Sequence, residues 1–271
     1  MSAEPVPHRS PSAAAVTVAT ACALGLLGPA APPAGAAEPW ADGSVETVGK
    51  IIWEIGGGRL GVCSGAVVDA PNGSVVATAA HCVLPPEGPK PPEEAWFVPD
   101  YDHDLERYRQ EGWRVSAVHT PEDWDVSRGV HAILPHDYAF LTVATRGGET
   151  LQEAQGANRL AYEPVPEGGE VAVLGYPAVD PYDGESLHYC SGLTDVLAEG
   201  EAEEPNVGGL LLEDCDMTAG SSGGPWLTDY DAGAESGTLL AVMSVGSGQG
   251  HVVGRPFPEE ARALLAEAGG G

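Results

Sequence analysis

The sequence predicts an all-β fold. Short apolar runs recur along it, and clusters of turn residues separate them. Ala, Leu and Glu fall at helical spacing in Pro258 to Ala268, where glycines follow, so that segment reads as a C-terminal helix. Lys50 to Ile55, Gly61 to Val68 and Val75 to Ala79 read as the first strands, and Asp69-Ala70-Pro71-Asn72-Gly73-Ser74 as the turn between the second and third. Ala95 to Val98, Trp113 to Val118 and Tyr138 to Val143 continue the series. Val171 to Gly175, Leu187 to Leu193, Leu210 to Glu213, Pro225 to Thr228 and Leu239 to Ser244 complete it. The Pro/Glu run Pro85 to Pro92 and the acidic run Glu199 to Pro205 read as solvated connections.

A chain of 271 residues with 43% hydrophobic content can bury a large core, in one domain or two closely packed ones. Lysine and arginine total 12 against 40 acidic residues, a formal charge of −28. Such a surface excludes nucleic acid and anionic lipid as partners and favours solubility and cationic segments of substrates. Residues 1–36 read as an export signal: Arg9 in a weakly basic start, the apolar stretch Ala13 to Leu27, and the small-residue cleavage site Ala34-Gly35-Ala36. The mature chain is expected to start at Ala37. The apolar stretch is too short and Pro-broken to span a bilayer, and no later run is long enough.

Export supports disulfides. Cys22 lies inside the signal, and Val18-Ala19-Thr20-Ala21 before it is a poor lipid-attachment context. Cys63, Cys82, Cys190 and Cys215 remain, and four cysteines allow three pairings. The favoured set is Cys63–Cys82, on two strands that can pair beside His81, with Cys190–Cys215.

The run Gly220-Ser221-Ser222-Gly223-Gly224-Pro225 flanks serine with glycines, so the backbone can turn sharply and aim successive N–H groups at one point. Upstream, Thr78-Ala79-Ala80-His81-Cys82 offers a base, and Asp137 in His136-Asp137-Tyr138-Ala139-Phe140-Leu141 offers a carboxylate to orient it. Each has a rival. Ser221 adjoins Ser222, while Asp123 and Asp125 compete with Asp137 from a polar loop. The run also satisfies Gly-x-Ser-x-Gly, the nucleophile elbow, with Asp231 and His251 as later partners. That fold needs a helix directly after the serine, which Pro225 opposes, and it leaves Thr78 to Cys82 unexplained.

These motifs, in the order His, Asp, Ser, resemble the chymotrypsin-like (trypsin-like) serine peptidases, and within them the secreted bacterial and fungal branch related to glutamyl endopeptidases. The resemblance runs from about Lys50 to about Gly254. It implies two packed six-stranded antiparallel β-barrels, residues 51–150 and 151–256, with the active site between them. A short N-terminal or pro-segment, 37–50, would precede them, and a C-terminal helix and tail, 257–271, would follow. It implies His81, Asp137 and Ser222 as a triad and the Gly220 and Ser222 N–H groups as the oxyanion hole. Counting back from Ser222, Asp216 falls where trypsin-like members keep the carboxylate of the primary pocket, which implies preference for Arg or Lys. Ser244-Val245-Gly246 resembles the strand that lines that pocket and pairs with substrate backbone, so Ser244 and Gly246 are candidate substrate-binding residues. Met243 stands where glutamate-specific relatives carry histidine, which argues against glutamate preference. Ser221 replaces the aspartate that pairs with a new N-terminus in many animal members, so that switch is expected to be absent.

Asp100, Asp102, Asp104 and Glu111 match the acidic positions of an EF-hand, but Leu105 replaces its turn glycine, which favours a solvated loop. His119, His131 and His136 lack zinc spacing. The expectation is therefore a secreted, monomeric serine endopeptidase that acts on peptides or proteins and needs neither metal nor cofactor. A catalytically silent protein of the same fold is the alternative, and the intact His81, Asp137, Ser222 and Gly220 speak against it.

Overall fold

The computed structural model describes residues 35–270, apart from 57, 87–93, 104, 166–167, 201 and 247–249. The expected signal, with Cys22, lies almost wholly outside the described residues, as does most of the Pro85 to Pro92 loop. Strand β1 (Glu38–Pro39) opens the described chain. It is followed by β2 (Val48–Gly56), β3 (Arg59–Val68), β4 (Val75–Thr78), β5 (Ala95–Pro99), β6 (Trp113–His119) and β7 (Ala139–Val143). These six, β2 to β7, close into an antiparallel barrel in the order β2-β3-β4-β7-β6-β5.

The second half contains β8 (Arg159–Leu160), β9 (Glu170–Gly175), β10 (His188–Leu193), β11 (Asp195–Val196), β12 (Leu210–Glu213), β13 (Pro225–Asp231), β14 (Ser236–Gly246) and β15 (His251–Pro256). With β1 they form one nine-stranded sheet, ordered β1-β10-β9-β13-β14-β15-β12-β11, with β8 alongside β14. A second closed six-stranded barrel is the expectation this modifies. The strands β10 and β12 lie side by side, but no ladder of hydrogen bonds joins them; the Cys190–Cys215 disulfide and the Gly192–Leu212 approach bridge the gap. β15 is a strand the sequence reading omits, because Gly254 and Arg255 interrupt its apolar run.

Successive residues of a strand face opposite ways, and here each face finds a different core. Ile51, Val67, Val76 and Leu141 fill the first barrel. Their neighbours Ile52, Val68, Val75 and Phe140 face outward onto Leu174, Leu227, Val242 and Phe257, and so make the seam between the halves. Val173, Trp226, Ala241 and Met243 fill the second half. Strands buried on both faces read as continuous apolar runs, which is why they were visible in the sequence. The helix Ala261–Ala268 packs on β6 and β7, and its last carbonyl accepts from Asn72 Nδ2 and Thr142 Oγ1, each at 2.9 Å.

Candidate active site

Antiparallel pairing assembles the site. β4 pairs with β7 through Thr78↔Ala139, so the end of β4 and the start of β7 share one rim of the barrel. His81 follows β4 in the one-turn helix Ala80–Val83, and Asp137 precedes β7 after the turn Leu134–His136. His81 Nδ1 lies 2.8 Å from Asp137 Oδ2, and the His81 backbone N–H donates to Oδ1 at 2.9 Å. The Ser244 hydroxyl donates to Oδ2 at 2.5 Å. Asp137 is fully buried. Burial pushes its carboxyl up, but the His81 charge and these hydrogen bonds outweigh that and hold it below the ordinary carboxylate range.

Ser222 lies in the β12–β13 connection, half-buried, and its carbonyl accepts from Ser64 N–H at 2.7 Å, which docks the loop on the first barrel. The two serines differ sharply. Ser221 is fully buried and its hydroxyl donates to the Thr218 carbonyl at 2.5 Å, whereas Ser222 borders solvent. Gly220 adopts φ +105°, and a Cβ there would stand 2.5 Å from the Tyr176 carbonyl oxygen, so only glycine fits. The N–H groups of Ser221, Gly223 and Gly224 are engaged by Thr218, Met243 and Ser221 carbonyls. Those of Gly220 and Ser222 donate to nothing among the described residues. Two unengaged donors from one tight turn can bind one oxyanion.

Asp216 is half-buried, and its buried Oδ1 has no hydrogen-bond partner among the described residues. Gly246 ends β14 opposite the Met217 carbonyl, which a Cβ would approach to 2.5 Å. β13 pairs with β14 only as far as Val242, so Ser244 to Gly246 extend beyond it. Of the two candidate pocket-strand residues, Ser244 thus turns its side chain to Asp137, and Gly246 stays at the strand edge. Both expected disulfides form, Cys63–Cys82 and Cys190–Cys215. Cys63, His81 and Cys82 cluster with metal-ligand spacing, but the sulfurs are bonded to each other and offer no thiolate.

The rivals are occupied elsewhere. Asp123 pairs with Arg128 at 2.9 Å, and Asp125 caps Ser127. Asp231 holds the β13–β14 turn through Gly233 N–H, and a strand rather than a helix follows Ser222. Of the acidic loop, Asp100 accepts from Ser44, Asp102 pairs with His103 and Glu111 with Arg107, while Asp104 lies outside the described residues.

Two supporting residues were missed. Ser64, fully buried, donates to the Gly220 carbonyl and accepts from Tyr176 N–H, both at 2.9 Å, and so ties the glycine turn to β9. Its place in Cys63-Ser64-Gly65 was the available signal. Arg255 is buried, donates to the Pro205 carbonyl at 2.5 Å, and is pushed down to about 10 by burial, partly opposed by Asp137. No local pattern marks it.

A profile of the trypsin-like peptidase domain matches residues 63–234. Among solved structures, the protease Anisep from Arthrobacter nicotinovorans is 30% identical, over 87% of this chain and 100% of that one, at a TM-score of 0.71. A thermostable serine protease, AL20, from an extremophilic microorganism is 28% identical, over 83% of this chain and 98% of that one, at 0.69. A Glu endopeptidase, 15% identical over 84% of this chain and 92% of that one, shares the fold at 0.61. No curated protein sequence matches. The fold is that of a chymotrypsin-like serine peptidase. The chain belongs to the trypsin-like peptidase family, and its substrates are peptides or proteins.

Proposed function

We propose that the protein is a secreted serine endopeptidase with Ser222 as nucleophile, His81 as base and acid, and Asp137 as the carboxylate that fixes the imidazole. The observation that carries this is the commitment of both Asp137 oxygens to His81 and Ser244. A buried carboxylate on Nδ1 keeps the proton there, which assigns Nε2 the role of base. Nε2 takes the Ser222 proton as Oγ attacks the carbonyl carbon, and the oxyanion gains the Gly220 and Ser222 N–H groups. Collapse breaks the C–N bond, the leaving amine takes the proton from His81, and water resolves the acyl-enzyme by the same route.

Preference for Arg or Lys is supported by the unpartnered Asp216 oxygen, because a buried acceptor is satisfied by a substrate cation and penalised without one. Substrate backbone would add along Ser244 to Gly246. Maturation at Ala37 would start the chain one residue before β1, where Ala37 N–H meets the Tyr182 hydroxyl at 3.0 Å. With Ser221 bonded to Thr218, no ion pair to a new N-terminus forms at that position.

Digestion of a diverse peptide library by secreted protein, read by mass spectrometry, tests this. Cleavage after Arg or Lys is expected, abolished by Ser222→Ala and reduced at least about 100-fold by Asp216→Asn. Cleavage after other residues discards the Asp216 assignment. No cleavage by correctly processed protein overturns the catalytic reading.

A further inference from the structure

A cavity of about 720 Å³ opens between the Thr120–Asp123 loop and the helix Ala261–Ala268, with His136 and Tyr138, the neighbours of Asp137, in its wall. Its chemistry is divided. Pro121, Pro258, Leu264 and the Tyr138 ring give it apolar walls, while Glu122, Asp123, Glu260 and Glu267 make it acidic. Asp123 is neutralised by Arg128 and Glu267 lies 3.4 Å from His119, but Glu122 and Glu260 have no ion-pair partner among the described residues.

Tyr138 is the second, independent observation. It is 3% exposed, with its ring packed on Phe140 and Phe257, yet its hydroxyl bonds to nothing among the described residues. The buried ring thus presents an unpartnered hydroxyl that stays open to the cavity. Tyr138 lines the cavity together with Glu260 and Asp123, and burial first, then their charges, pushes its hydroxyl up.

We propose that this cavity binds an ammonium or guanidinium group on an aliphatic stem, with the stem against Leu264 and Pro121 and the cation on Glu260, Glu122 and the Tyr138 hydroxyl. Two sources share that chemistry: a lysine or arginine side chain of a polypeptide, and a free alkyl amine. A protein of charge −28 draws both toward it. None of His81, Asp137, Ser222 and Asp216 lines the cavity, so the proposal does not depend on the proposed mechanism.

Calorimetric and NMR titration with Nα-acetyl-lysine methylamide, cadaverine and 1-butanol tests it. In the Asp216→Asn background, where the proposed primary pocket is disabled, saturable binding of a cation is expected, lost at least about tenfold when Glu122→Gln/Glu260→Gln is added and weakened when Tyr138→Phe is added. Tighter binding of the lysine amide than of cadaverine assigns the site to polypeptide side chains, and the reverse order to free amines. Binding that Asp216→Asn abolishes and the cavity variants leave intact belongs to the primary pocket and overturns the proposal. Equal affinity for 1-butanol, or no cation binding at about 50 mM, an affinity below about −2 kcal/mol, overturns it as well.

Discussion

In the proposed mechanism Ser244 positions the carboxylate and Gly220 shapes the oxyanion turn, and their substitutions separate positioning from charge stabilisation. Ser244 spends its hydroxyl on Asp137 Oδ2. A bond from a neutral donor to a buried carboxylate is worth about 1.5–3 kcal/mol, so Ser244→Ala is expected to lower kcat/KM about tenfold or more. It also removes one of the hydrogen bonds that depress the Asp137 carboxyl. The native carboxyl binds its proton more weakly than the unfolded one, so its stabilisation is complete above the ordinary carboxylate value and is lost as pH falls through the lower native value. Raising that native value in Ser244→Ala moves acid unfolding to higher pH, measurable as melting temperature against pH. An unchanged acid limb would show that Ser244 does not govern the carboxylate. Gly220→Ala is different in kind. It puts a Cβ against Tyr176 and strains φ +105°, so the proposed oxyanion donors shift. A loss of at least about 100-fold in kcat is expected with KM little changed, because the interaction exists only in the transition state.

Strand pairing positions these residues, and the second half relies on covalent closure where pairing stops. β10 and β12 lie adjacent without a ladder, and Cys190–Cys215 spans them with a separation of 25 residues. A loop of that length is constrained by roughly 3.5 kcal/mol in the chain-entropy account. Cys190→Ser/Cys215→Ser is therefore expected to lower stability by about that amount in urea and to raise hydrogen exchange selectively in β10 and β12. Uniform loss of protection in both halves would show that the disulfide does not act locally. The same geometry explains what was legible in the sequence. The runs around Ile51, Val67, Val76 and Leu141 are buried on both faces, so they appear as strands directly. His81, Asp137 and Ser222 stand at strand ends beside glycine and turn signals. β15 was hidden because Gly254 gives way to the Trp226 ring and Arg255 donates to the distant Pro205 carbonyl. Long-range contacts of this sort leave no local period. The donation from Ser244 to Asp137 was equally hidden, since it joins residues 107 positions apart.

At the scale of the whole molecule, charge is the dominant feature, with 40 acidic residues against 12 basic ones. Surface ion pairs such as Arg262–Glu259 and Arg128–Asp123 offset little of it, and exposed pairs add little stability. Most acidic side chains therefore contribute to a long-range field. That field acts on encounter, before any pocket selects, and it raises the local concentration of cationic peptides around the cleft. It is also screened, with a Debye length of about 30 Å at 0.01 M salt and about 3 Å at 1 M. Two peptides with the same scissile bond and different remote charge separate this effect from the proposed recognition by Asp216. Between about 0.01 M and 0.5 M salt, kcat/KM for a peptide carrying several remote lysines is expected to fall about tenfold, within the range of steering effects. A peptide of zero remote charge should change less than about twofold, because only its short-range contacts remain. Parallel behaviour of the two substrates would mean that the acidic surface serves solubility and takes no part in selecting what the enzyme cuts.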